Sequence, residues 1–175
     1  MVATVEICES NESTGEYITH NVGDYDMGSI DEANMDPTSN TISKGSNSFE
    51  KLLRLHVTNI DTSNFIDNFQ IYLISGTINS EASLKANTRT ATQGGYSEAS
   101  YAAPTASASS KAIYDIETTD PMEANLGIEG SLTGQITDAA SIDDCDYLVL
   151  QYQTGGLHAE GNITPLTVRW DYDEG

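Results

Sequence analysis

Three histidines, two cysteines and a surplus of carboxylates are the residues of this chain with the most chemistry to offer. A hydrolytic or transfer centre needs a nucleophile, a base within hydrogen-bond reach and a group that orients the base. The sequence contains no GxSxG elbow, HExxH pair, phosphate-binding P-loop or GxGxxG turn. His20, His56 and His158 lie far apart along the chain, and none has a metal-ligand partner at local spacing. Each reads as a surface or hydrogen-bonded side chain. Paired Asp and Glu could serve a glycosidase, but 27 acidic residues bring carboxylates together without any catalytic demand. The reading is a non-enzymatic protein without a cofactor.

Metal chemistry has one local candidate. Asp143, Asp144 and Asp146 crowd onto one turn before an apolar segment, and their carboxylates could offer hard oxygen ligands to Ca2+. The twelve-residue spacing of an EF-hand loop is missing, which favours a solvated acidic turn. Asp171, Asp173 and Glu174 read the same way. Cys8 and Cys145 belong to no CxxC or Cys/His group and read as small buried hydrophobes, with a single bridge between them left open. The few cations are more telling. Lys51, Arg54 and Arg169 fall inside strand-like segments, where in so acidic a chain they are expected to pair with carboxylates or stack on aromatic rings.

The elements that must position these groups show a period of two, the mark of strands. From Phe49 to Val57, Phe49, Leu53, Leu55 and Val57 alternate with Glu50, Arg54 and His56; from Phe65 to Leu73, Phe69, Ile71 and Leu73 alternate with Asn68, Gln70 and Tyr72. Tyr147–Gln153 and Pro165–Tyr172 read as two more strands, the latter with Leu166, Val168, Trp170 and Tyr172 on one side. Shorter candidates are Ala3–Cys8, Gly15–Val22, Lys111–Glu117 and Gly130–Ile136. The helical stretches, Glu81–Ala86 and the one around Asp143–Leu148, are too short to be secure in water. Seven or eight short strands between Gly, Asn, Ser and Asp turns predict an all-β chain. The expected fold is a single β-sandwich over 1–175, Ig-like or jelly-roll-like, with an extended acidic segment at 24–48 and a long Ser/Thr/Ala-rich loop at 77–110.

Charge narrows the partners. Seven Lys and Arg against 27 Asp and Glu leave a net charge of -20, with a sequence pI near 4.1. Such a surface repels phosphate backbones and anionic lipid, so neither nucleic acid nor a membrane is an expected partner. There is no apolar run of about 18 residues and no basic start leading into an apolar stretch. The expectation is a soluble protein made in a cytoplasm.

Several blocks together resemble tailed-bacteriophage virion structural proteins: DMGSIDEANMDPTSNTISKGSNSFEKLLRLHVT (Asp26–Thr58), IDNFQIYLISG (Ile66–Gly76), YAAP (Tyr101–Pro104) and DYLVLQYQTGGLHAEGNITPLTVRWDYDE (Asp146–Glu174). The stretch Thr77–Gly95 lies outside the resemblance. The family likeness implies a capsid decoration (cement) or other auxiliary head protein on a β-sandwich framework. It implies binding to the major capsid protein on the virion exterior, as a symmetric homo-oligomer assembled in the host cytoplasm. A tail or neck location is the near alternative. A carbohydrate-binding module is the distant one, with Tyr96, Tyr101, Tyr152 and Trp170 stacking on sugars and Ca2+ at Asp143, Asp144 and Asp146. Capsid or subunit contacts are expected from Tyr25, Met27, Ile30 and Met35 and from the loop around Tyr96 and Tyr101, because both stretches are too polar to form core alone. Truncation to about Asn40 is expected to spare the sandwich and abolish lattice binding.

Overall fold

In the computed structural model the described residues are 3–12, 15, 17–24, 26–59, 65–88, 103–107, 114–115, 122–123, 147–157 and 165–175. Among them the chain is all-β. The strands are β1 (Thr4–Asn11), β2 (Tyr17–Thr19), β3 (Lys51–Asn59), β4 (Ile66–Ser75), β5 (Ala82–Thr88), β6 (Tyr114–Asp115), β7 (Met122–Glu123), β8 (Leu148–Thr154) and β9 (Thr167–Glu174). A six-stranded sheet has the order β2-β1-β3-β8-β5-β6, and a three-stranded sheet the order β7-β4-β9. Every pairing is antiparallel. Candidate strand Gly130–Ile136 lies outside the described residues.

Alternation explains the stacking. Leu53, Leu55 and Val57 of β3, Leu148, Leu150 and Tyr152 of β8, and Leu84 and Ala86 of β5 turn to one face of the large sheet. There they meet Ile66, Phe69, Ile71 and Leu73 of β4, with Val168, Trp170 and Tyr172 of β9 packed alongside. This is the β-sandwich core, formed as period-two strands require when two sheets stack face to face. Asn68 sits at φ 54, where the β4–β9 register slips between Asp67 and Gln70. An Asn tolerates this left-handed bulge position better than a branched residue would.

The opposite face of the large sheet is not simply polar. Leu52, Tyr147 and Val149 form a second buried cluster. Glu50, read from its alternation as outward and polar, is fully buried: its carboxylate accepts the Thr105 N–H at 3.1 Å. The cause is the segment 103–107, tied down where Glu50 N–H donates to the Thr105 carbonyl, Asn47 Nδ2 donates to the Ala106 carbonyl and Gln151 Nε2 donates to the Thr105 carbonyl at 3.4 Å.

Two expectations about irregular regions are corrected. The stretch 77–110 is not one long loop, because β5 occupies Ala82–Thr88 and pairs with β8 along its whole length, from Ala82 opposite Thr154 to Thr88 opposite Leu148. Its few large apolar residues hid it, but pairing on both sides, with β8 and β6, overrides the helical leaning of Ala and Lys. The acidic segment 24–48 is likewise folded onto its own chain. Ser29 N–H donates to the Asn40 carbonyl and Phe49 N–H to the Gly28 carbonyl, while Met35 is buried directly against Gly28, where any Cβ would fall 2.1 Å from the Met35 Cε.

Truncation to Asn40 is therefore not neutral to the fold. It would remove β1, which lies inside the large sheet and pairs with β3 from Thr4 opposite Asn59 to Ser10 opposite Leu52.

Within the segment, Asp36 organises a turn. Its Oδ1 accepts the Thr38 N–H at 2.9 Å and the Thr38 hydroxyl at 2.6 Å, and its Oδ2 accepts the Ser39 hydroxyl at 2.6 Å. These donors, led by the Ser39 hydroxyl, favour the ionised carboxylate and hold its pKa down at about 2 from an ordinary 3.8. A depressed carboxylate contributes its stabilisation above the unfolded-state pKa and loses it as pH falls through the folded one. An NMR titration of the Asp36 carboxyl is expected to show a midpoint near 2, with the turn intact at pH 4; a midpoint at the ordinary value would mean the turn is not formed in solution.

Candidate functional site

The most buried polar construction joins the sheet to the acidic segment. Glu9 on β1 and Lys51 at the start of β3 are 0% and 1% exposed, and Lys51 Nζ donates to Glu9 Oε1 at 2.8 Å. The same ammonium donates to the Glu32 carbonyl at 2.7 Å. Asn11 Nδ2 bridges Glu9 Oε1 and Asp31 Oδ1, at 2.9 and 2.8 Å, and the Glu12 N–H donates to Asp31 Oδ2 at 2.9 Å. The cation on a strand thus has the structural pairing its sequence position suggested. What the sequence did not disclose is that this pair anchors the segment around Asp31 and Glu32.

The two arginines divide. Arg54 places its guanidinium 3.8 Å from the centroid of the Tyr147 ring, a cation–π contact. Arg169 Nε donates to Asp171 Oδ1 at 2.8 Å on the exposed surface, and the Tyr72 hydroxyl donates to Asp171 Oδ2 at 2.7 Å. With these donors Asp171 is held below its ordinary pKa, the Tyr72 hydroxyl first and Arg169 second, while the phenol of Tyr72 is raised by the same bond.

A third group lies on the outer face of the large sheet. Pairing sets Glu6 of β1 opposite His56 of β3, and the chain leaving β2 brings His20 beside them. Donor atoms of Glu6, His20 and His56 all lie within 4.8 Å of one another. His20 Nδ1 is 2.9 Å from Glu6 Oε1 and 3.3 Å from Cys8 Sγ, and the two imidazole rings stand edge to face at 5.2 Å between centroids. Cys8 is fully buried and is a thiol. Reading each histidine alone concealed this arrangement, because it exists only through the β1–β3 register and the β1–β2 turn.

The expected contact residues fare differently. Met35 is 4% exposed and Met27 packs against the sandwich core, with the Ser48 hydroxyl 3.7 Å from its sulfur. Burial of Met35 within the fold runs against the expectation that it faces a partner, while Met27 is half-buried. Ile30 is half-buried. Tyr25, Tyr96, Tyr101, Asp143, Asp144 and Asp146 lie outside the described residues, as do Cys145 and His158. Tyr152, one of the supposed sugar-stacking rings, is 1% exposed, and burial raises its phenol pKa. Trp170 packs against the core with a buried indole nitrogen. Burial leaves Tyr152 no ring face for a sugar, whereas Trp170 is half-buried.

One edge strand stands out by its length. Of the strands at the sheet edges, β2, β6 and β7 have three, two and two residues, whereas β9 has eight. Among the described residues β9 pairs with β4 alone. No protein-family model, curated protein or solved structure matches the chain.

Proposed function

We propose that this protein is a non-enzymatic structural component of a tailed-phage virion that binds the exterior of the assembled capsid and stabilises it as a decoration subunit. The blocks on which the family resemblance rests supply β3 up to Thr58, all of β4 and the whole of β8 and β9. These strands contribute most of the large side chains of the sandwich core. The single observation that carries the reading beyond the framework is the eight-residue β9 edge, which pairs with β4 alone among the described residues. Edge strands of this length are normally shortened, covered or paired, and an exposed one accepts a strand from a neighbouring chain by main-chain hydrogen bonding.

The chemistry of that edge selects its occupant. Asp171, Asp173 and Glu174 lie along β9 with Arg169 as its one cation. Like charges facing each other across paired strands are unfavourable, so the strand suits a neutral or basic segment of the major capsid protein better than a second β9. Symmetric self-association then uses another surface. A net charge of -20 adds attraction to basic capsomer patches and repulsion from packaged DNA, acting on encounter rate more than on final affinity.

Hydrogen exchange on the full chain, free and bound to purified heads, tests this. Slowed exchange along Thr167–Glu174 on heads is expected. Unchanged exchange there in the presence of heads, or slowing that occurs with tails instead, would remove the capsid-edge reading.

A further inference from the structure

We propose that Glu6, His20 and His56 form a binding site for a divalent transition-metal ion of the zinc type, which clasps the short edge strand β2 to β1 and β3. Two imidazoles and a carboxylate are the donor set that such ions take from proteins, while leaving a fourth position for water. Tetrahedral zinc with bonds of about 2.1 Å places its ligands about 3.4 Å apart. The three donors already lie within 4.8 Å of one another, and the His20 side chain is half exposed and hence able to turn inward. Because Glu6 and His56 face each other across a register held by pairs on both sides, Val5 with Val57 and Ile7 with Leu55, two of the three ligands are pre-positioned by backbone pairing and need no loop to close.

The surroundings fit an ion. Arg54, cross-strand from Cys8, has its guanidinium over the Tyr147 ring. Cys8 Sγ beside His20 Nδ1 positions that ring at the mouth of the site. The ion has a physical consequence as well. β2 contributes only three residues and three register pairs with β1, too few to hold an edge firmly. A bond from His20, directly after β2, across β1 to His56 would fasten that corner in the folded state only, and binding of this kind adds to stability.

The test is Zn2+ titration by calorimetry on chelator-stripped full-length protein, with excess Mg2+ present to saturate the acidic surface. One tight Zn2+ per chain is expected, together with a rise in melting temperature. His56→Ala and the exposed-site variant His20→Ala are each expected to weaken Zn2+ binding by at least about tenfold, with an unchanged far-ultraviolet circular dichroism spectrum. Absence of Zn2+ binding above the Mg2+ background would overturn the site, as would binding that survives both substitutions in folded protein. Head binding is read separately, so failure of the metal site leaves the proposed function standing.

Discussion

Lys51→Ala is expected to destabilise the protein by about 3 to 5 kcal/mol, the usual cost of leaving one charge of a buried pair without its partner. Glu9 would be stranded at 0% exposure, holding only the Asn11 amide, and the Glu32 carbonyl would lose the ammonium that pins it. The companion variant separates the charge effect from packing. Replacing both members, Lys51→Met with Glu9→Leu, is expected to recover most of the loss, since apolar pairs of similar volume commonly match or exceed a buried ion pair. Urea unfolding of the three proteins measures this through midpoints at constant slope. In Lys51→Ala, hydrogen exchange should also quicken around Asp31–Asn40, because the anchor of that segment is gone. A single variant as stable as wild type would show that the pair contributes nothing net.

Phe69→Ala is the second large effect. Phe69 is fully buried at the centre of the sandwich, its ring 5.9 Å from that of Tyr172 on the neighbouring strand. Truncation of a buried Phe costs about 3 to 5 kcal/mol through lost transfer energy plus the cavity left behind. In a chain of this size that lowers the melting temperature by roughly 8 to 16 °C. The site stands next to the Asn68 bulge, where the β4 backbone is already committed to an irregular register and has little freedom to collapse into the void. Phe69→Leu, which keeps most of the volume, should cost clearly less. Equal losses in the two variants would point to strand-pairing damage instead of a cavity.

How far these features could be read from residues alone depends on the range of the contact. The strands β3, β4, β8 and β9 were legible because Leu53, Leu55 and Val57, or Phe69, Ile71 and Leu73, repeat at period two with large side chains. β5 was not, because Ala82–Thr88 offers only Leu84 as a large apolar residue and borrows its stability from β8 on one side and β6 on the other. The burial of Glu50 was hidden in the same way: its partner Thr105 is 55 residues away. Lys51 announced that it would pair, yet nothing local named Glu9 or Glu32. The cluster of Glu6, His20 and His56 is the sharpest case, since its members look unrelated until β1 and β3 are set in register. Charge and alternation are local properties and survive in the sequence, whereas register and segment docking are products of the whole fold.

Capsid decoration is decided by co-sedimentation of the purified protein with expanded phage heads stripped of accessory proteins, followed by a count of bound copies at saturation. A decoration subunit should reach a fixed count that matches one icosahedrally related set of positions, with no binding to isolated tails. Heads that pellet without the protein, or a count that rises without saturating, would contradict it.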